Sequence, residues 1–313
     1  MAYAAVMLAL LVVNPQATST TPAGRDVLAH ALASDVKLEV VETTYRGHAA
    51  DAAAQAAADG YDLVVAHGGD GTVNEVVNGL LSTADGSAIS TAPMLGVVPG
   101  GSANVFARAL GLPRDPMEAA HQLLQAIEFG RSRRIGLGKA DARWFTFNAG
   151  IGWDAAVVSA VAGRRSKQAS PALYTRTALT RYLKQARRPP NLTVCLPDAP
   201  PVSGVRVALV CNTDRWTYLG SKPLRLLPNT AFDRGLGLFA LRSLAAPVVL
   251  NHLTQVFRDE PEPHGRHLVR RDDVSHIRVI SETDFPLQVD GDLVGEQKSV
   301  DFTAVPDALR VVV

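Results

Sequence analysis

Residues 61–80 read YDLVVA, then HGGDGT, then VNEVVNGL, with no spacer between the three parts. The apolar run 61–66 predicts a strand buried on both faces. The stretch 71–81 predicts a helix. Between them, Gly68, Gly69 and Gly71 flank Asp70. Glycine lets backbone approach closely and accepts positive φ. A helix N-terminus adds unpaired N–H groups and partial positive charge. A Gly-rich loop between strand and helix is therefore a phosphate cradle, and three glycines around an acid exceed what a tight turn needs.

Two further loops repeat this arrangement. The strand predicted at 94–98 enters Pro99-Gly100-Gly101-Ser102-Ala103-Asn104, which precedes the helical VFARAL. The apolar run 5–13 enters Asn14-Pro15-Gln16-Ala17-Thr18. That first run is too short to span a bilayer. It also lacks a charged n-region and a cleavage-like site, so it reads as a buried strand rather than a signal peptide. With a strand at 36–42 and helices at 23–33, 47–58 and 116–127, residues 1–130 form a βαβα series. Such a series predicts a parallel sheet with helices on both faces, and parallel sheets bind ligands beyond their strand C-termini.

Beyond Gly130 the rhythm changes. Strands are expected at 131–139, 143–149, 191–197, 204–212, 223–228, 236–242, 275–281, 285–290, 298–303 and 308–313. Helical inserts are expected near 152–187 and 245–257. Successive strands with few helices predict a mainly antiparallel second domain over 131–303.

Composition narrows the function classes. Of 313 residues, 47% are hydrophobic and 19% charged, which excludes a disordered chain or a coiled coil. The formal net charge is +1, which gives no support to nucleic-acid binding. The two cysteines, Cys195 and Cys211, make no disulfide framework and no zinc spacing, and suggest a reducing, cytoplasmic setting. Gly150-Ile151-Gly152-Trp153-Asp154-Ala155 fits a dinucleotide fingerprint, but no acid occurs from 155 to 197, so the second half of that motif is missing.

The same acid-free stretch carries eight cations: Arg164, Arg165, Lys167, Arg176, Arg181, Lys184, Arg187 and Arg188. Leu and Tyr interleave them. The segment reads either as a solvated helix face or as a dock for anionic headgroups.

GGDGT-x-NE (Gly68–Glu75), the NP-x-x-T loop and PGGSAN-x-FAR-x-LGLP (Pro99–Pro113) together resemble the diacylglycerol kinase catalytic domain family. AGIGWDA (149–155), PNTAFDRGLGLFAL (228–241) and QVDGDLVG (288–295) extend the likeness toward its bacterial two-domain members, relatives of sphingosine and ceramide kinases. The resemblance implies a first domain with the parallel sheet of NAD kinases and phosphofructokinases, and a β-sandwich-like second domain. It places a lipid in or near the cleft between them, and leaves room for 304–313 to return to the first domain. It further implies ATP contacts from Asn14, Thr18, Thr43, Gly69, Asp70, Gly71, Thr72, Asn74, Glu75, Gly101, Ser102 and Asn104.

The expected activity is transfer of phosphate from ATP, with Mg²⁺, to a hydroxyl of diacylglycerol or a related lipid at a membrane surface. The chain would then be cytoplasmic and peripherally membrane-bound. A soluble acceptor, as in NAD kinases, and a silent nucleotide- or lipid-binding module are the alternatives. Asp70 is the carboxylate expected near the metal; as local structure it would be an Asx-turn or helix cap. Asp292, in Asp290-Gly291-Asp292, is the expected general base; as local structure it belongs to a hairpin turn. Glu75 is equally readable as a helix cap. Many relatives hold a structural Mg²⁺ with a second Asp where this chain has Arg234, which leaves only Asp233 for that role. An oligomer is compatible with the sequence, which specifies none.

Overall fold

The computed structural model describes residues 7–81, 91–152, 191–219 and 221–313. The chain divides into two units, 1–135 with 307–313, and 136–306.

The first unit opens with β1 (Leu8–Val13), α1 (Pro22–Leu32), β2 (Lys37–Glu42), α2 (His48–Ala58), β3 (Leu63–Gly68), α3 (Asp70–Leu80), β4 (Met94–Pro99), α4 (Val105–Ala109) and α5 (Pro116–Glu128). The strands are parallel in the order β2-β1-β3-β4. The chain's last strand adds beside β4, pairing Val311 with Leu95. Alternation along β1 and β3 sends Ala9, Leu11, Val13, Leu63 and Val65 into one core. Leu28 and Leu32 of α1 and Ala120, Leu123 and Ala126 of α5 pack there. Helices α2 and α3 pack on each other so closely that a Cβ on Gly79 would stand 2.2 Å from the Ala50 carbonyl oxygen. Helix starts follow local chemistry. Thr21 accepts from Gly24 N at α1, and Asp115 accepts from Met117 N and Glu118 N at α5, with Pro as the first helical residue in both.

The second unit is antiparallel. It contains β6 (Arg143–Phe145), β7 (Asn148–Ile151), β8 (Leu192–Leu196), β9 (Ala199–Val205), β10 (Val207–Cys211), β11 (Arg215–Leu219), β12 (Lys222–Arg225), β13 (Leu236–Leu241), α6 (Ala246–Val256), β14 (Leu268–Val274) and β15 (His276–Val289). Strand β5 (Ser132–Ala140) leads into this unit, and β16 (Asp292–Val312) carries the chain out of it. The main sheet runs β14-β13-β10-β7-β15-β16. Strands β10 and β13 are buried on both faces. Ala208, Val210, Leu238 and Ala240 face one core; Val207, Leu209, Phe239 and Leu241 face another, which Leu244 and Val256 complete.

Several expectations need correction. The pairs of strands expected at 275–281 with 285–290, and at 298–303 with 308–313, are the single strands β15 and β16. A register shift between Ile280 and Phe285 bends β15 without ending it. Three strands were not foreseen. Strand β9 begins with Ala199-Pro200-Pro201 and pairs only with β8, an edge position that tolerates proline. Strand β14 carries Arg270, Arg271, Asp272 and Asp273; edge placement next to β13 leaves Arg271 and Asp273 exposed, while half-buried Arg270 and Asp272 pair with each other at 3.0 Å. Strand β11 pairs only with β12, in a separate two-stranded sheet. The helical insert expected near 152–187, Asp154, and the cations Arg164, Arg165, Lys167, Arg176, Arg181 and Lys184 lie outside the described residues.

Candidate active site

In the first unit, β1 is followed on one side by β2 and on the other by β3, so the strand order reverses at the C-termini of β1 and β3. A crevice at such a point is where open parallel sheets bind ligands. All three loops singled out in the sequence emerge at this end of the sheet.

They are tied together through backbone. Gly100 N donates to the Gly68 carbonyl at 2.7 Å, and Ser19 N to the Gly100 carbonyl at 2.8 Å. Cβ atoms could not fit between the two glycine loops. One on Gly101 would lie 2.7 Å from Gly69 Cα, and one on Gly100 would lie 2.7 Å from Thr20 Oγ1 and 3.1 Å from Gly68 Cα. One on Gly68 would strike Thr72 Oγ1 at 2.6 Å. The glycines therefore serve loop-on-loop packing as well as access to a phosphate.

Side chains complete the join. Asn14 Nδ2 donates to Thr72 Oγ1 at 2.9 Å, while Asn14 Oδ1 accepts from Gln16 N, an Asx-turn that shapes the first loop. Asn104 is left-handed at φ 48°, and its side chain bridges back to Gly101 N and the Gly101 carbonyl. Asp70 Oδ1 accepts from Phe106 N at 3.1 Å. The acid on the first glycine loop thus caps the helix after the second, by bonding its second amide. Glu75 Oε1 accepts from Gly47 N at 3.0 Å. It therefore holds the β2–α2 turn, Gly47 being left-handed at φ 92°, and with it the segment that begins at Thr43. Thr43 N itself donates to the Val13 carbonyl. Thr18 and Ser102 are exposed, while Thr72, Asn74 and Asn104 are buried; Asn78 Nδ2 donates to Asn74 Oδ1.

His67, the last side chain before the glycines, is buried, with Nδ1 3.2 Å from the Val98 carbonyl. A carbonyl only accepts, so Nδ1 carries the proton. Burial pulls the imidazole pKa below its ordinary value, and the Val98 bond opposes that shift only in part.

In the second unit, Asp290 and Gly291 are the two residues of the β15–β16 hairpin, between paired Val289 and Asp292. Both are left-handed, at φ 47° and 81°, the geometry of a type I′ turn. Asp290 is buried. Its Oδ2 accepts from Thr146 N and Thr146 Oγ1, and its Oδ1 from Phe147 N and Asn148 N. Burial pushes the Asp290 carboxyl up, and these four donors push it back. The network extends further. Gln288 Nε2 donates to Asn148 Oδ1, and Gly291 N donates to Gln288 Oε1. Asp292, one residue beyond the turn, is half-buried. The fixed carboxylate of this hairpin is Asp290, a role signalled in the sequence only by the Asp-Gly dipeptide.

The corner expected to carry a structural metal does not fit one. Asp233 is exposed, Arg234 adds a cation, and Asp273 Oδ1 is occupied by Gly235 N. Among the described residues no group of three or more His, Cys, Asp or Glu could hold a metal ion.

Comparison with known proteins agrees with this geometry. Residues 8–140 match the diacylglycerol kinase catalytic domain. Diacylglycerol kinase of Bacillus subtilis (strain 168) is 43% identical over 111 residues, 35% of this chain and 33% of that protein. Diacylglycerol kinase of Staphylococcus aureus (strain JH9) is 41% identical over 99 residues, 32% of this chain and 28% of that protein. The matches thus span about a third of these curated relatives' length.

The fold likeness reaches further than the sequence likeness. A crystal structure of a Bacillus anthracis str. Sterne diacylglycerol kinase superimposes with a TM-score of 0.72 at 19% identity, covering 99% of this chain and 98% of that one. An NAD kinase from Archaeoglobus fulgidus, solved in complex with ATP, gives a TM-score of 0.53 at 12% identity, covering 98% and 94%. The fold of this chain is therefore shared over nearly its whole length with both.

Proposed function

We propose that this chain is an ATP-dependent lipid kinase that phosphorylates a hydroxyl of diacylglycerol or a related lipid. The observation that carries the reading is the doubled glycine loop, with Gly69 against Gly101 and Asp70 at the junction. Together with the match over residues 8–140, it supports a nucleotide cradle for phosphoryl transfer.

Phosphoryl transfer asks a protein for positioning and charge stabilisation. Backbone N–H groups of the glycine loops and the N-terminus of α3 would bind the phosphates. Asn14, Thr72 and Asn104 shape the cradle; Thr18 and Ser102, on its exposed rim, and Thr43, Asn74 and Glu75 around it, complete the nucleotide site. Mg²⁺ usually takes one or two carboxylates together with substrate phosphates. Asp70 suits that role, since the carboxylate bonded to Phe106 N lies at the loop junction. Mg²⁺ would neutralise charge on the transferred group.

Asp292 would accept the proton of the lipid hydroxyl as its oxygen forms the bond to phosphorus and ADP leaves. The cations Arg164, Arg165, Lys167, Arg176, Arg181 and Lys184 would add attraction to an anionic surface. Among the described residues no helix is long and apolar enough to cross a membrane.

The test is γ-labelled ATP offered with detergent-dispersed diacylglycerol, a sphingoid base, NAD or no acceptor. Label in the organic phase supports the proposal. Label in a nucleotide makes the acceptor soluble. ATP binding without transfer leaves a silent module.

A further inference from the structure

Helix α6 breaks the usual rule for a surface helix. From Ser243 to Phe257 the chain holds no Asp, Glu, Lys or Arg. One face is fixed in the second unit's core. His252 is buried edge-on to Phe239, with ring centroids 5.9 Å apart, and Gln255 exchanges two hydrogen bonds with the His264 backbone. The opposite face carries exposed Asn251 and Thr254 but is mainly apolar. Leu250 is 61% exposed, Leu253 38% and Phe257 41%. Spaced by three and four residues, they form one ridge. Of the ten large hydrophobics exposed among the described residues, these three alone share a helix face. A contiguous ridge of exposed large apolar side chains ordinarily marks an interaction surface.

The size and edges of the ridge identify the cover. Eleven helical residues extend about 17 Å, and a helix face is about 10 Å wide. That is far below the roughly 800 Å² per partner that a stable dimer buries. A bilayer surface needs no such area, because shallow insertion of an apolar face is weak and reversible. The ridge has exposed Arg242 before it; after it stand exposed Arg258 and Lys222, whose Nζ donates to the Phe257 carbonyl at 2.8 Å and pairs with Asp259, together with exposed Glu260 and Glu262. An apolar face edged by both signs of charge, with long Arg and Lys side chains among them, suits a zwitterionic headgroup layer.

We propose that the Leu250–Leu253–Phe257 ridge of α6 docks this chain on a lipid bilayer, lying at the boundary of headgroups and acyl chains. The choice of occupant rests on the lipid-acceptor reading above. Docking here is a contribution separate from the basic stretch at 164–188, since it is apolar and therefore resists salt.

The test is co-sedimentation with phosphatidylcholine vesicles, with and without phosphatidylglycerol, in the absence of ATP. The wild type is compared with Leu250→Ser/Leu253→Ser/Phe257→Ser. The ridge variant is expected to bind at least about tenfold more weakly at high salt, with its melting temperature unchanged or raised, because exposed apolar groups are removed. A Leu253→Trp variant is expected to shift its emission to the blue on vesicles and to be quenched by brominated acyl chains. Equal vesicle binding by the wild type and the ridge variant, or no binding by the wild type, overturns the proposal. So does unchanged vesicle binding with loss of a dimer in light scattering, which assigns the ridge to a second copy. Unchanged binding with a lowered melting temperature also overturns it, and assigns the ridge to another segment of this chain. Failure of the kinase reading is separable: it appears as no labelled lipid from a monodisperse short-chain diacylglycerol, whatever the vesicles show.

Discussion

Gly69 and Gly101 stand back to back, so close that a Cβ on Gly101 would fall 2.7 Å from the Gly69 Cα and 2.9 Å from Asn104 Oδ1. Backbone cannot yield as the tip of a side chain can. Gly101→Ala is therefore expected to cost about 1–3 kcal/mol, the usual penalty for overpacking. Because the strain falls on the cradle itself, affinity for Mg·ATP should fall too. Chemical denaturation and calorimetric titration measure the two effects; an Ala variant as stable and as tight as the wild type would contradict the loop-on-loop account.

Asp70 serves two ends that substitutions can separate. Asp70→Asn keeps an oxygen for Phe106 N and removes the charge. It should leave the melting temperature nearly unchanged and reduce phosphoryl transfer by at least about a hundredfold, a typical loss for an electrostatic group at the reacting phosphate. Asp70→Ala removes the cap as well, and should cost about 1 kcal/mol of stability in addition. Comparing turnover with thermal melts across the two variants assigns the charge and the cap independently.

Much of this site was legible in the sequence because its causes are local. Glycine clusters after apolar runs marked the loops. The missed features depend on partners far along the chain. Nothing near Asp70 announces Phe106, and nothing near Glu75 announces Gly47; each bond joins separate loops. Strand β14 was hidden because its four charges obscure alternation; its place at the sheet edge exposes Arg271 and Asp273, and an ion pair accommodates Arg270 and Asp272. The Asp-Gly dipeptide announced a hairpin, yet the burial of Asp290 comes from Thr146, Phe147 and Asn148, more than a hundred residues earlier.

Asp290 and Asp292 should part company on mutation. Asp290→Asn turns an amide NH₂ toward backbone donors, and is expected to cost about 3 kcal/mol as a buried charge network loses its partners. Asp292→Asn should leave stability within about 0.5 kcal/mol, as for most half-exposed substitutions. As general base, its loss should cut turnover by about 10²–10⁴-fold with little change in ATP affinity. Asp292→Glu keeps the carboxylate and should retain substantial activity. Wild-type turnover in Asp292→Asn would remove Asp292 from the reaction.

His67 gives the fold a pH dependence of defined sign. Burial lowers its pKa in the folded state below the ordinary 6.5. The unfolded chain therefore takes up the proton first as pH falls. The contribution to stability is full above pH 6.5 and is lost as pH drops below it. Burial lowers His252 likewise, so it adds to the same slope. His67→Gln should flatten the fall in stability between about pH 7 and 5 without abolishing it. Denaturation midpoints across that range report the slope, and an unchanged slope would mean that His67 titrates normally.

The central claim is that the glycine cradle and Asp70 serve phosphoryl transfer to a lipid. Transfer of γ-label from ATP to diacylglycerol in mixed micelles, with Mg²⁺ and with Asp70→Asn run beside the wild type, tests it most directly. The account expects label in the organic phase from the wild type, and at least about a hundredfold less from an Asp70→Asn protein that melts at the same temperature. Equal organic-phase label from the two proteins, or label that collects in NAD and never in lipid, would contradict it.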